Sequence, residues 1–479
     1  MTLLDRVALG RSDLVTAASG LLLTAVLVAG VEHEGTKRAF VVMFGLAAFA
    51  AAVRGFMRRP HALVALTVVY FAVLPTLKVF VTPLLGATKD LLSLAALAAA
   101  ALVYLERRRV SHDRVIEPVL LLPIALLLGL YIVNLGGALT GDTGHGIAWF
   151  HGVRLFAEPL CLFVVGATLP GPARTLRWGL RALLGACVVS AFYGILQQAV
   201  GFHRLLTLGY TYGKEVRTFS GGHLRSFGTL DEPFAYAGLL LLGLAVLLIW
   251  TRWKPPIWLV FGLLGLGILV SYVRTAALIT AALLGVALAR RGYGRYAVIL
   301  MFGAVAIAVA AFVLASEKTA TRTVPLNSTT YLTLNGRTNI WASTLKSPAD
   351  WIFGRGVGAT GTASRRATES LSGSSTTKPT GGTVVDSSYF AVIADVGIAG
   401  LGLLAFFFVR TFWSAVNAAR RGSRAAWLGI GLLTVTLLDA LTRESFTGFP
   451  TAYLAMLLLG LSYAVWRNEA RTQRERAVP

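Results

Sequence analysis

"IWLVFGLLGLGILVSYVRTAALITAALLGVALA", Ile257 to Ala289, is an almost unbroken apolar run with one cation, Arg274, near its middle. As one straight helix it would be about 50 Å long, against about 30 Å of bilayer hydrocarbon. It is too long for a single span and long enough for two short ones. Lys254 precedes it and Arg290 follows it. Cationic residues gather in cytoplasmic loops, so both ends belong on one side and the chain must turn near Tyr272–Thr275. Arg274 then stands at the outer end of a tight helix pair. A cation at that depth is costly unless it faces a cavity or partner, or snorkels from a helix end.

The rest of the chain has the same character. Of its 479 residues 56% are hydrophobic and 14% charged, and mean hydropathy is +0.70. Soluble domains carry about 25% charged residues. About fourteen runs approach membrane-crossing length: 14–31, 39–53, 62–80, 91–105, 118–135, 147–169, 183–200, 234–250, 257–273, 275–289, 296–315, 386–409, 426–441 and 450–466. The expected fold is all-α: a polytopic helical membrane protein of about 12–14 transmembrane helices. Residues 1–315 form an N-terminal bundle and 316–385 a long extracytoplasmic loop. Residues 386–466 supply the last helices and 467–479 a basic cytoplasmic tail. The first run lacks a convincing cleavage site and is kept as a helix.

The formal charge is +22. With the N-terminus in the cytoplasm, "RGFMRRP", "ERRRVSHDR", "PARTLRWGLR", "RRGYGR", "ARRGSR" and the tail all face inside. Topology and anionic membrane lipids account for about half of the charge, so nucleic acid is not expected as a partner. Cys161 and Cys187 lie in apolar runs without metal-ligand spacing. His145, His151, His203 and His223 form no HxxxH or HExxH pattern, so no metal is expected.

What remains is a set of charges on the outer side. Arg154 in "WFHGVRLFAEPL" and Lys78 in "PTLKVF" sit near helix ends. Arg225 in "HLRSFGT" and Arg337 in "NGRTNIW" lie in the two long outer loops. Arginine forks match phosphate oxygens, which points to a lipid-linked diphosphate. The acids are Asp231, Glu232, Asp386 and Glu444. Each of the first three also suits a helix N-terminus, and Glu444 can pair with Arg443. Within 316–385, Ile340, Trp341 and Leu345 have amphipathic-helix spacing. "GTASRRATESLSGSSTTKPTGGT" reads as a mobile flap or disordered insert. The glycines of "WIFGRGVG" form either a tight turn or an amide cradle for phosphate.

These motifs, in this order, resemble the O-antigen ligase and polymerase superfamily. The resemblance rests on "GRTNIW…PADWIFGRGVG", "RSFGTLDEPFAYAG", "SYVRTAAL" and "DSSYFAVIADVGIAGL", with "GVRLF" and "TKDLL" as weaker elements. It runs from about Lys78 to Glu444. It implies a GT-C-like membrane glycosyltransferase that takes glycan from undecaprenyl diphosphate outside the cytoplasmic membrane, inverting, without cofactor or metal. Its partners would be the lipid-linked oligosaccharide, an acceptor glycan or lipid, a flippase and a chain-length regulator. Arg274 and Arg337 match the family's diphosphate-binding arginines, helped by Arg225, Arg154 or Lys78. Asp386 is the expected catalytic acceptor-orienting group or base, with Glu232, Asp231 and Glu444 in reserve. Ligases of the family carry His-Asn where this chain has Asp386 and Ser387, which favours a polymerase. A ligase, a lipid-linked oligosaccharide flippase and a non-catalytic assembly subunit remain as other readings.

Overall fold

The structure is a computed structural model. It describes residues 34–81, 85–86, 88–111, 116–134, 143–210, 218–219, 223–251, 253, 255–296, 299, 303, 345, 348–372 and 387–477. The run at 14–31 and all but three residues of the run at 296–315, together with Arg337, Ile340, Trp341 and Asp386, lie outside them.

The architecture is helical. In chain order the bundle helices are α1 (Glu34–Arg58), α2 (Pro60–Phe80), α3 (Thr88–Ser111), α4 (Pro118–Val133), α5 (Thr143–Thr168) and α6 (Pro172–Val200). A one-turn helix α7 (Phe202–Thr207) and a two-residue ladder, Thr218–Phe219 (β1) with His223–Leu224 (β2), occupy the next connection. Then come α8 (Pro233–Ala245, continued by a π turn to Trp250), α9 (Pro255–Ser271) and α10 (Arg274–Arg290). Two short helices, α11 (Pro348–Phe353) and α12 (Gly361–Ser372), precede α13 (Ser388–Arg420), α14 (Arg424–Asp439) and α15 (Thr451–Ala477).

Six of these helices are long and apolar enough to cross a membrane, and α4 and α9 are shorter apolar helices. Proline opens α2, α4, α6, α8 and α9. It suits the first helical position, where its missing N–H has no intrahelical partner. The expected turn is present. α9 ends at Ser271, Tyr272 takes φ +54°, and α10 begins at Arg274. The basic tail does not separate from the last span; it continues α15 to Ala477.

α8 is the central helix, packed by α6, α9, α10, α14 and α15 and buried along most of its length. α5 crosses α15 at very short range. A Cβ on Gly166 would strike the Leu457 carbonyl, and one on Gly460 the Phe163 carbonyl. Close backbone contact through small residues drives helix association where water supplies no hydrophobic force. Beside this crossing, the Phe163 ring meets Phe407 edge-on at 5.0 Å.

The bundle has two chemically different ends. At the basic end, Arg424 donates to the Trp250 carbonyl at 2.7 Å and Arg291 to that of Leu248 at 3.2 Å. α7, the β1–β2 ladder, α11 and α12 lie at the other, the loop end.

Two expectations need correction. The first part of the presumed flap is an ordered helix, α12, packed on α5. Ala363 and Ala367, four residues apart, bury one face of it. Glu444 takes the amide of its second residue, Thr362, as described below. Arg443 pairs with Asp439, one turn back on α14, through Nε at 2.5 Å.

Candidate active site at the loop end of the bundle

"TKDLL" opens α3 and "GVRLF" lies midway along α5. The fold brings them together. Lys89 is 5% exposed. Its Nζ contacts Asp90 Oδ1 at 2.5 Å and Glu158 Oε2 at 2.9 Å, and donates to the Tyr453 hydroxyl at 3.3 Å. Tyr453, on α15, donates to the same Glu158 oxygen at 2.5 Å. Arg154 reaches Asp90 Oδ2 at 3.4 Å and Glu158 Oε1 at 3.8 Å. Two cations and two carboxylates therefore form a neutral network joining α3, α5 and α15. The ammonium of Lys89 also lies over the rings of Tyr453 at 4.9 Å and Phe449 at 5.5 Å.

Polar atoms around this network are left open. Among the described residues, His151 Nδ1 and Arg154 Nε on α5, Ser93 Oγ on α3 and Thr360 Oγ1 before α12 are buried without a hydrogen-bond partner. Arg366 of α12 acts electrostatically on both His151 and Tyr453. Clustered unsatisfied polar groups mark a place where water or a ligand completes the hydrogen bonding.

The Gly-rich turn docks beside this network. Gly354, Gly356 and Gly358 all take positive φ, between +77° and +105°. A Cβ on Gly358 would strike the Ala148 carbonyl of α5. One on Gly354 would lie 2.8 Å from the backbone of Asp395. α13 is broken at Val396 and Gly397, where φ is +70°, and a Cβ on Gly397 would strike the Ile352 carbonyl. Asp395 Oδ1 accepts from the Gly358 amide at 3.0 Å, and Asn134 donates to the Asp395 carbonyl at 2.9 Å. The glycines thus serve backbone-to-backbone docking, and the Gly358 amide is engaged by a carboxylate.

Glu444 closes the other side. Its Oε2 accepts from the Thr362 amide at 2.8 Å and the Thr362 hydroxyl at 2.6 Å. Gly361, at φ +69°, leaves no room for a side chain over that carboxylate. Glu444 is therefore the N-terminal cap of α12.

A second cationic group lies around the α9–α10 turn. Arg225 is 7% exposed; its Nε donates to the Ser271 carbonyl at 3.3 Å, and its guanidinium lies 4.7 Å from the Phe234 ring centre. Burial lowers its pKa to about 10, so it remains a cation at neutral pH. Its loop is fixed from several helices. The Gln197 carboxamide accepts from the Phe227 and Gly228 amides at 3.0 Å each. Thr229 donates to the Ala72 carbonyl of α2 at 2.8 Å. Arg274, the first residue of α10, is exposed three residues beyond Arg225's acceptor. Lys78 is half-buried in the last turn of α2. Asp231 and Glu232 are half-buried before α8, with Glu232 at its N-cap position.

Arg225 and Arg274 are thus brought to one turn, and Arg154 is brought to Lys89. Lys89, Asp90, Glu158, Tyr453, Arg366 and Asp395 were not singled out from the sequence. A charge pair within an apolar "GATKDLLSL" and single acids within "LFAEPLCLF" and "VIADVGIAGL" are the signals that mark four of them. Tyr453 and Arg366 carry no comparable local signal.

Among the described residues, no group of three or more His, Cys, Asp or Glu is placed to hold a metal ion. Both cysteines are free. No protein-family model and no curated protein matches the chain.

Proposed function

We propose that this chain is a membrane glycosyltransferase of the O-antigen ligase and polymerase kind. Its reaction would be polymerisation of lipid-diphosphate-linked repeat units. The observation that carries the reading is the meeting of "TKDLL" and "GVRLF" in one buried charge network. Ionisable groups inside apolar helix bundles are expensive and are kept for binding or catalysis. Arg225 and Arg274 add two further cations at the same end.

In this mechanism the bond between the anomeric carbon and the diphosphate oxygen breaks. The diphosphate leaves with the electron pair, and Arg274, Arg337, Arg225 and Arg154 meet its growing charge. Preorganised charge of this kind is usually the largest catalytic term. The acceptor hydroxyl attacks the opposite face of that carbon. Its proton passes to Asp386, or to Glu232 in reserve.

The test is a deletion strain complemented with wild type, Arg274→Ala, Arg337→Ala and Asp386→Ala. Surface polymer and lipid-linked intermediates are sized together. Single repeat units left on the lipid carrier are the expected result. Long polymer trapped on the carrier would instead mean a ligase. Normal polymer in all three variants overturns the site.

A further inference from the structure

At the basic end, an open hollow of about 600 Å³ lies between the start of α6 and the last turns of α15. Arg174 and Arg177 of α6 and Arg476 of α15 line it, with Glu469 as the one acid on its wall. Buried Val465 forms part of its floor. None of the three arginines is ion-paired among the described residues. Arg471 on the same helix, by contrast, pairs with Glu475 at 2.8 Å. Arg177 Nε turns back to the Ala173 carbonyl at 3.3 Å, which leaves its terminal nitrogens for another acceptor.

The level of the hollow is informative. α15 is buried from Ala452 to Trp466 and exposed from Arg471 to Arg476, and the first ten residues of α6 carry Arg174, Arg177 and Arg181 ahead of its apolar run. The hollow therefore sits where apolar surface gives way to polar. Trp178, 44% exposed, follows Arg177 and packs on the His61 ring at 5.9 Å. Tryptophan favours that boundary.

We infer that this hollow binds the headgroup of an anionic phospholipid, with Arg174, Arg177 and Arg476 on its phosphate. Guanidinium forks fit phosphate oxygens in pairs. Basic pockets between membrane helices bind such headgroups, and each arginine near the surface is worth about a five-fold change in affinity. The apolar floor and the boundary level favour a lipid over soluble phosphate. This inference does not depend on the glycosyltransferase reading.

The experiment uses the full chain in neutral detergent, titrated separately with phosphatidylglycerol, phosphatidylcholine and inorganic phosphate, and read by native mass spectrometry and thermal unfolding. Wild type is compared with Arg174→Gln/Arg177→Gln/Arg476→Gln and with an equal-charge control, Arg108→Gln/Arg109→Gln/Arg474→Gln. The expected result is selective binding of phosphatidylglycerol that weakens at least ten-fold in the first variant and less than two-fold in the control. Equal weakening in both variants, equal binding of phosphatidylcholine, or inorganic phosphate matching the lipid would each overturn the site.

Discussion

Lys89 is the residue on which the loop-end network turns, because it alone contacts Asp90, Glu158 and Tyr453 together. Removing one partner of a buried ion pair costs about 3–5 kcal/mol, since the other charge is left uncompensated. Lys89→Met is therefore expected to lower the unfolding midpoint of the purified protein sharply. The double variant Lys89→Met/Glu158→Gln removes one charge of each sign and should recover most of the loss. A double variant no more stable than the single one would show that the pair is not the source of the effect. Glu158 lies far from Lys89 in sequence, so nothing local announces their contact. Arg154 was visible as a misplaced cation. Its two carboxylate partners became visible only once α3 and α5 were packed together.

At the scale of elements, the break in α13 and the Gly-rich turn fit each other through backbone alone. A residue with a side chain at Gly397 would be held at φ +70° and ψ −172°, a region that glycine almost alone adopts, with strain of about 1–3 kcal/mol and a collision with Ile352. Gly397→Ala should undock α11 and the turn after it. Arg355, exposed on that turn, should then be cut by trypsin much faster than in wild type. Unchanged cleavage would mean that the docking survives without this glycine. The cap on α12 makes a gentler prediction. Glu444→Ala removes a charged acceptor from a helix N-terminus, worth about 1 kcal/mol. Amide exchange in residues 362–366 should rise several-fold, while exchange in α14 stays unchanged. The turn at Tyr272 was legible because the flanking charges fixed its side. The order of α12 was not, because its Ser/Thr/Gly-rich composition hides a buried Ala363–Ala367 face and a cap contributed from Glu444.

For the molecule as a whole, the charge alternation predicts that Arg274 and Arg476 lie on opposite sides of a membrane. In a background with Cys161 and Cys187 replaced by serine, an impermeant maleimide should label Arg274→Cys in intact cells. It should label Arg476→Cys only after permeabilisation. The reverse pattern would invert the chain and move the proposed site to the cytoplasmic side. The helical class and the six helices of membrane-crossing length among the described residues were readable from apolar run length. Which spans touch was not, because periodicity carries little information in helices that are apolar all round. The α5–α15 crossing, for example, depends on Gly166, one of four glycines in α5, and on Gly460, the single glycine of α15, and neither stretch names its partner.

The neutrality of the loop-end network has a consequence for traffic at the membrane surface. Phosphatidylglycerol and phosphatidylethanolamine each present a phosphodiester with a single negative charge. Bare lysine and arginine at the bilayer boundary would be occupied continually by these neighbours. Asp90 and Glu158 already hold both cations, so a passing monoanion gains little by displacing them. On the proposed function, a lipid carrying two phosphates would bring more charge to the exchange than one phosphodiester does. The carboxylates would then act as a threshold that sets aside singly charged lipids in favour of the diphosphate.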